Sequence, residues 1–285
     1  MSDLPAPIDD AALDALRAEL SKADPSKRRQ IFEKFFLAAL GSIPWVGGFL
    51  SATAGIKGDA EALKKDRLQT QWLEEHHRKL ADLKATLTDI QQRFESLGAH
   101  IDQRVQSPEY LGLVRKAFRT WDDADTAEKR KYVANVVVNS AGTRVCSDDV
   151  VRLFIDWLES YHEIHFAVIR EIYKNPGVAR YDIWTNIYGS EVPQDDSAEA
   201  DLFKLIMRDL STGSVIRHPR ETDSQGRFVR KRPAGKRGPA PMTMESAFEE
   251  AKPYVLTELG KQFVHYTMND VVGRIGPGGT DSPTP

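Results

Sequence analysis

The chain has almost no cysteine: Cys146 stands alone among 285 residues. An internal disulfide is therefore excluded, and the composition suits a reducing cytosol. Charge of one sign is not in excess either. The formal net charge is −3, with 28% charged and 41% hydrophobic residues. That balance belongs to a globular protein rather than a disordered or membrane-embedded one, and it implies no general affinity for nucleic acid. Residues 1–30 turn from acidic to basic and lack the pattern of a secretory signal, so a cytoplasmic protein is expected. The length accommodates two ordinary domains, or one elongated domain and a small one.

Chemistry-bearing motifs are also scarce. "AGKRGPA" holds a Gly-Lys pair but neither the upstream glycine nor the following Ser/Thr of a phosphate-binding loop. "YHEIHF" places His162 and His165 near Glu159, yet its spacing is one residue short of H-E-x-x-H, and His165 falls on an apolar stripe suited to a hydrogen-bonded core histidine. His76 and His77 are adjacent on a helix, where side chains diverge by about 100° and do not share a ligand. Asp122-Asp123 and Asp148-Asp149 sit at expected helix starts, where carboxylates favour the positive end of the helix dipole. These residues make no active site, cofactor site or metal site. A protein that is not an enzyme is expected.

One long hydrophobic run is present. "FFLAALGSIPWVGGFLSATAGI", residues 35–56, holds 22 residues without a charge. It meets the length criterion for a membrane span, about 20 helical residues. Pro44, Gly47 and Gly48 break it at the centre, and both flanks are basic: Lys27, Arg28, Arg29 and Lys34 before, Lys57, Lys64, Lys65 and Arg67 after. Flanks of one sign on both sides favour a hairpin that returns to the cytoplasmic face. Two readings stay open: a buried hairpin at the centre of a helical bundle, or a hairpin that engages the inner membrane through Phe35, Phe36, Leu37, Leu40, Ile43, Trp45, Val46, Phe49 and Leu50.

Elsewhere the pattern is helical. Leu13, Leu16 and Leu20 mark a short amphipathic helix over 9–23. Residues 59–105 contain no proline and only Gly98 as a weak point, and Leu80, Leu83, Leu87, Ile90, Phe94, Leu97 and Ile101 keep an unbroken 3-4 spacing. That heptad seam predicts one long helix of roughly 65–70 Å. Its stripe must be covered by other helices of the chain, by further copies, or by a partner protein. Helices are expected over 109–120 and, capped by Asp125 with Glu128, over the segment carrying Tyr132, Val133, Val136 and Val137. Ser147 caps the most strongly patterned helix, whose apolar face runs from Val150 to Ile172 and ends at Asn175-Pro176-Gly177.

From about residue 164 the order becomes helix, helix, helix, strand, loop, strand, helix. "MRDLSTGSVI" and "YVLTELGKQFVHY" in this order are similar to the end of bacterial winged-helix modules over roughly 160–270. The upstream arrangement also has a counterpart. The glycine-broken apolar segment, the long helix, "EKRKYVANVVVN" and "FIDWLESYHEIHFAVIREIY" together resemble bacterial helical proteins of the Abi-alpha type. That resemblance implies a role in abortive infection, the shut-down of a phage-infected cell.

Within the winged-helix-like region the third helix opens with Asp195, Asp196, Glu199 and Asp201, offset by Lys204 and Arg208. Carboxylates there oppose a DNA backbone. The following insertion, 217–237, carries Arg217, Arg220, Arg227, Arg230, Lys231, Arg232, Lys236 and Arg237 against Glu221 and Asp223, a net +6. It suits a protein-interaction or lipid-facing role ahead of DNA or RNA binding, with a merely solvated loop as the alternative.

The expected architecture is thus mainly α. Residues 1–30 form a helix and basic lead-in, and 31–58 the apolar hairpin. An elongated bundle with its coiled-coil-like helix occupies 59–160, a small α+β winged-helix-like domain 161–270, and a disordered tail 271–285. The expected role is a non-enzymatic, membrane-engaging oligomer with a C-terminal sensing or partner-binding module. The alternatives are a DNA-binding regulator dimerised through its helical half, and a helical scaffold.

Overall fold

The computed structural model describes residues 29–46, 67–189, 191–220 and 252–268, together with 223, 225, 227 and 248. The expected helix over 9–23, the second arm of the apolar hairpin and the tail from 271 lie outside the described residues. The described chain is mainly α-helical with one two-stranded antiparallel sheet. It divides after Ser160 into two compact units.

The first unit contains α1 (Arg29–Leu40), α2 (Arg67–Leu97), a 3-10 turn (Ala99–Ile101), α3 (Asp102–Val105), α4 (Pro108–Asp123), α5 (Ala127–Gly142) and α6 (Asp148–Ser160). Helix α4 starts where Ser107 accepts the Tyr110 N–H and Pro108 takes the first position, whose N–H would be unbonded anyway. Its inner face is Tyr110, Leu113, Val114, Ala117, Phe118 and Trp121. Helix α5 is capped by Thr126, not by the expected Asp125, because Thr126 has the extended backbone from which its hydroxyl reaches the Lys129 N–H. From Tyr132 to Val138 every residue of α5 is buried. A helix apolar on all sides must be central, and α5 packs against α2, α4 and α6. The buried Asn135 is satisfied by Arg93, whose Nη1 donates to its Oδ1 at 2.9 Å.

The heptad seam is covered within the chain. Leu83, Leu87, Ile90 and Phe94 are each 1% exposed or less. Helix α5 lies against α2, and the rings of Phe32 and Phe35 stand 5.6 and 5.2 Å from Phe94. This stretch of the seam is therefore not open to a second copy. The expected single helix also ends early. Gly98 takes a φ of +80°, stopping α2 at Leu97, and the chain continues through the 3-10 turn, so that Ile101 and Val105 still reach the core.

The second unit contains α7 (Glu163–Lys174), α8 (Arg180–Tyr188), α9 (Ala198–Thr212), β1 (Ile216–Arg217), β2 (Val255–Leu256) and α10 (Glu258–Thr267). The apolar face from Val150 to Ile172, expected on one helix, is split between α6 and α7. His162 is extended, and its backbone N–H donates to Nδ1 of His165 at 3.2 Å, so the imidazole of the next turn caps α7. Strands β1 and β2 pair antiparallel, Ile216 with Leu256 and Arg217 with Val255. Val178, between α7 and α8, bridges Tyr254. The segment entering β2 therefore lies between Val178 and β1. Helices α8, α9 and α10 all pack on α7, and Trp184, Phe203 and Phe248 form a three-ring cluster with centroids 5.1–5.5 Å apart.

Two predictions arise from these contacts. Thr257 ties the sheet to α10: its N–H donates to the Val215 carbonyl, while its hydroxyl accepts the Gly260 N–H. A Cβ at Gly260 would stand 2.2 Å from that same carbonyl oxygen. Gly260→Ala is expected to destabilise the second unit by about 1–3 kcal/mol; a thermal melt equal to wild type would refute the close approach. In the first unit Arg104 grips Asp148 with both nitrogens, at 3.0 and 2.5 Å. These hydrogen bonds outweigh desolvation and hold the Asp148 carboxyl below the usual carboxylate range. A lowered carboxyl adds stability above its unfolded pKa and loses it as pH falls through the native value. Asp148→Asn should therefore cost about 1–2 kcal/mol near neutral pH, and that cost should shrink progressively as pH falls below the ordinary carboxylate range in urea titrations. A cost that does not change with pH would contradict the ion pair's role.

Candidate functional site

The apolar run is the first candidate, and its described half is core. Helix α1 ends at Leu40. Gly41 and Ser42 form a turn in which the Ser42 hydroxyl donates to the Ala39 carbonyl at 2.7 Å, and 44–46 is helical again. The bend thus begins at Gly41 rather than at Pro44. Phe35, Leu40, Ile43 and Val46 are buried, with Phe35 edge-on to Phe94 and Phe118. Phe36 and Leu37 are half-buried. Trp45, also half-buried, donates from Nε1 to Asp122 at 2.6 Å and lies 5.0 Å from the His76 ring. Phe49 and Leu50 lie outside the described residues.

In the described half, then, Phe35, Leu40, Ile43 and Val46 pack inside the bundle. Full burial of an apolar side chain stabilises by about 1.5–3 kcal/mol, so exposing Phe35, Leu40, Ile43 and Val46 would cost roughly 6–12 kcal/mol before any lipid contact offset it. Among the described residues no helix is long and apolar enough to cross a membrane. Val46→Asp would place an unpaired charge at a site 1% exposed. It is expected to lower the stability of the first unit by about 3 kcal/mol or more in lipid-free buffer. A Tm within a degree or two of wild type would show that Val46 is not core.

The basic insertion is the second candidate. Arg217 lies on β1 and is half-buried, whereas Arg220 is exposed. Arg227 turns back on Asp223: its backbone N–H and its Nε each donate to that carboxylate at 2.9 Å. The Arg227 backbone hydrogen bond is the main cause of the lowered Asp223 pKa. Arg230, Lys231, Arg232, Lys236 and Arg237 lie outside the described residues. Arg217 and Arg220 share an open groove with Arg180, Arg208, His218 and Tyr254. Sequence reasoning missed those four as a group, because they come from α8, α9 and the two strand ends and carry no common local signal.

The third candidate is the outer face of α9. Ser197 caps it by accepting the Ala200 N–H, and Phe203, Ile206, Met207 and Leu210 fill the core at helical spacing. Asp195, Asp196, Glu199 and Asp201 are exposed at its start. Lys204 donates to the Asp195 carbonyl at 3.2 Å and lies 3.8 Å from the Asp201 carboxylate. Beside them Leu202 and Leu205 are 53% and 40% exposed. Their position was legible in principle, since both fall off the stripe formed by Phe203, Ile206, Met207 and Leu210.

His162 and His165, weighed above as metal ligands, instead meet at the α7 cap. His165 is buried against Tyr161, whose ring stacks on it at 4.9 Å, and its Nε2 lies 4.0 Å from Asp209. Burial, with Asp209 adding to it, pushes the Tyr161 hydroxyl up to about 12. No protein-family model, curated protein or solved structure matches this chain.

Proposed function

We propose that the chain is a non-enzymatic adaptor in which a helical bundle carries a winged-helix-like module that binds a protein partner through α9. The element order of the second unit supports the winged-helix reading: three helices, a paired strand on each side of the insertion, and a short bridge at Val178 beside the second strand. The observation that carries the partner reading is the surface of α9. Leu202 and Leu205 are exposed among Asp195, Asp196, Glu199 and Asp201. A helix reading duplex DNA would set cations or neutral polar groups there, because phosphate contacts dominate affinity. Apolar side chains inside an acidic rim suit a protein segment with apolar residues and a basic border. The resemblance to Abi-alpha-type proteins makes defence against phage the setting in which such an adaptor would act. Engagement of the inner membrane by 35–56 would require the bundle to release α1, and a homo-oligomer would have to use surfaces other than Leu83, Leu87, Ile90 and Phe94.

Photo-crosslinking residues placed at 202 and 205, with one at the exposed Glu159 as control, test this in cells. Discrete protein adducts from 202 and 205 alone are expected, and Leu202→Glu with Leu205→Glu should weaken the captured interaction at least tenfold, the loss of about 1.4 kcal/mol or more. Both substitutions are on the surface and should leave the melting temperature unchanged. Salt-dependent retention of duplex DNA that survives the two leucine substitutions would instead favour the regulator.

A further inference from the structure

The outer face of α9 carries charge of both signs, and the signs are separated along the helix. Asp195, Asp196, Glu199 and Asp201 stand exposed at its start, and Arg208 stands exposed toward its end. Leu202 and Leu205, 53% and 40% exposed, lie between them. At about 100° per residue, Asp201 and Arg208 point in nearly the same direction, with Leu205 beside them and Leu202 on the far side of Leu205. Phe203, Ile206, Met207 and Leu210 occupy the opposite, buried stripe. Lys204 is turned onto its own chain, donating to the Asp195 carbonyl at 3.2 Å and standing 3.8 Å from the Asp201 carboxylate. The Asp201 side chain is still 72% exposed.

A surface acidic at one end, basic at the other and apolar between is complementary to itself when turned end for end. A two-fold axis produces that arrangement, because residue i of one copy then meets j of the other while j meets i. With the axis between Lys204 and Leu205, positions 201 and 208 are equally far from it. Each Arg208 then lies level with Asp201 of the other copy and on the same side of the pair. Leu205 of one copy packs on Leu205 of the other, and each Leu202 lies only about 3 Å along the helix from the opposite Leu205. The two helix dipoles run in opposite directions, which favours the pairing. The carboxylates that gain no partner stay apart. The two copies of Glu199 would stand roughly 16 Å from each other along the helix, beyond the Debye length of about 8–10 Å. A parallel pairing would instead set Asp201 on Asp201 and Arg208 on Arg208.

We propose that this face of α9 binds a second copy of itself, antiparallel about a two-fold axis beside Leu205, so that the protein partner of the module is the same chain. This pairing rests on α9 being a protein-binding face and adds the identity of the partner. A uniformly basic segment of another protein would satisfy the carboxylates but would set like charge against Arg208, whereas a second α9 answers both signs. The heptad seam from Leu83 to Phe94 is closed within the chain, so it does not compete for this role. One helix face on each side is a small interface, below about 1,200 Å² in total, the size of weak and transient contacts. Self-association with a dissociation constant of about 10–100 μM is the corresponding expectation.

Sedimentation equilibrium of the full chain, at about 0.1 M salt and over concentrations spanning that constant, tests this. The average mass should climb from 32.0 kDa toward twice that value. Leu205→Glu should weaken the association at least tenfold without moving the melting temperature, since it alters an exposed side chain. Asp201→Arg and Arg208→Glu should each stay monomeric, because like charges then meet twice about the axis. Mixed together, those two variants should pair about as tightly as wild type, since every 201–208 contact again joins opposite signs. A damaged fold would not be restored by mixing. A monomer at the highest concentration, association untouched by Leu205→Glu, or a mixture as monomeric as its components would each overturn the proposal. Crosslinks from 202 and 205 separate the two readings. Adducts of twice the chain mass are expected. Adducts only to a different protein would overturn self-pairing and leave the adaptor reading standing, and adducts closed within one chain would assign the leucines to another segment of that chain and overturn self-pairing. No adduct at all would overturn both readings.

Discussion

An apolar stripe on a helix has to be covered, and in the first unit the chain covers its own. Four side chains on α2, from Leu83 to Phe94, are removed from water by α5 and by the phenylalanines of α1. The consequence reaches both ends of the bundle. Helix α1 is committed to the core because Phe32 and Phe35 close over Phe94. Helix α5 is committed because it lies between α2, α4 and α6. The same burial bears on the apolar run and on the heptad seam. The apolar run is held as structure through Val46, and the heptad seam is spent inside one chain over the stretch from Leu83 to Phe94.

The polar contacts then act as locks on this packing rather than as its source. Tyr110, fully buried, donates to the Val137 carbonyl at 2.8 Å, and burial holds its phenol protonated far above the ordinary range. Arg93 satisfies Asn135, and Trp45 and Lys79 both reach Asp122. Each removes an unpaired group whose burial would cost about 1–3 kcal/mol, and all but the Tyr110 bond tie elements that are not consecutive in sequence. They fix which apolar faces meet.

Helical periodicity was the legible part of this sequence. The stripes of α2, α4, α5, α7 and α9 could be read from spacing, as could the stops at Ser107-Pro108 and Asn175-Pro176-Gly177. What spacing could not give were the interruptions that depend on backbone chemistry at one residue. Gly98 breaks the heptad helix because only its φ changes sign; the apolar pattern carries on through Ile101 as if nothing had happened. The change in element order predicts a domain boundary between 160 and 161, but the helix break at Tyr161 and His162 leaves no mark in the apolar pattern, since Val168 and Ile169 continue the face of Phe154 and Leu158. Its signal is an imidazole acting as a cap, a role that residue statistics give to Ser, Thr, Asp or Asn. The groove was illegible because Arg180, Arg208, Arg217 and Tyr254 meet only once the strand pair and the Val178 bridge have formed.

Helix α9 serves core and surface at once. Phe203, Ile206, Met207 and Leu210 recur at helical spacing and are buried, so the positions between them face out. Leu202 and Leu205 occupy two of those positions, three residues apart and therefore neighbours on the helix surface. Glu199, Asp201, Lys204 and Arg208 form a mixed charged border on the same helix. Salt would screen that border but not the leucines, since a Debye length of about 8–10 Å sets the reach of a surface charge. A partner with a basic border would therefore associate more slowly as salt is raised while keeping the apolar share of its affinity.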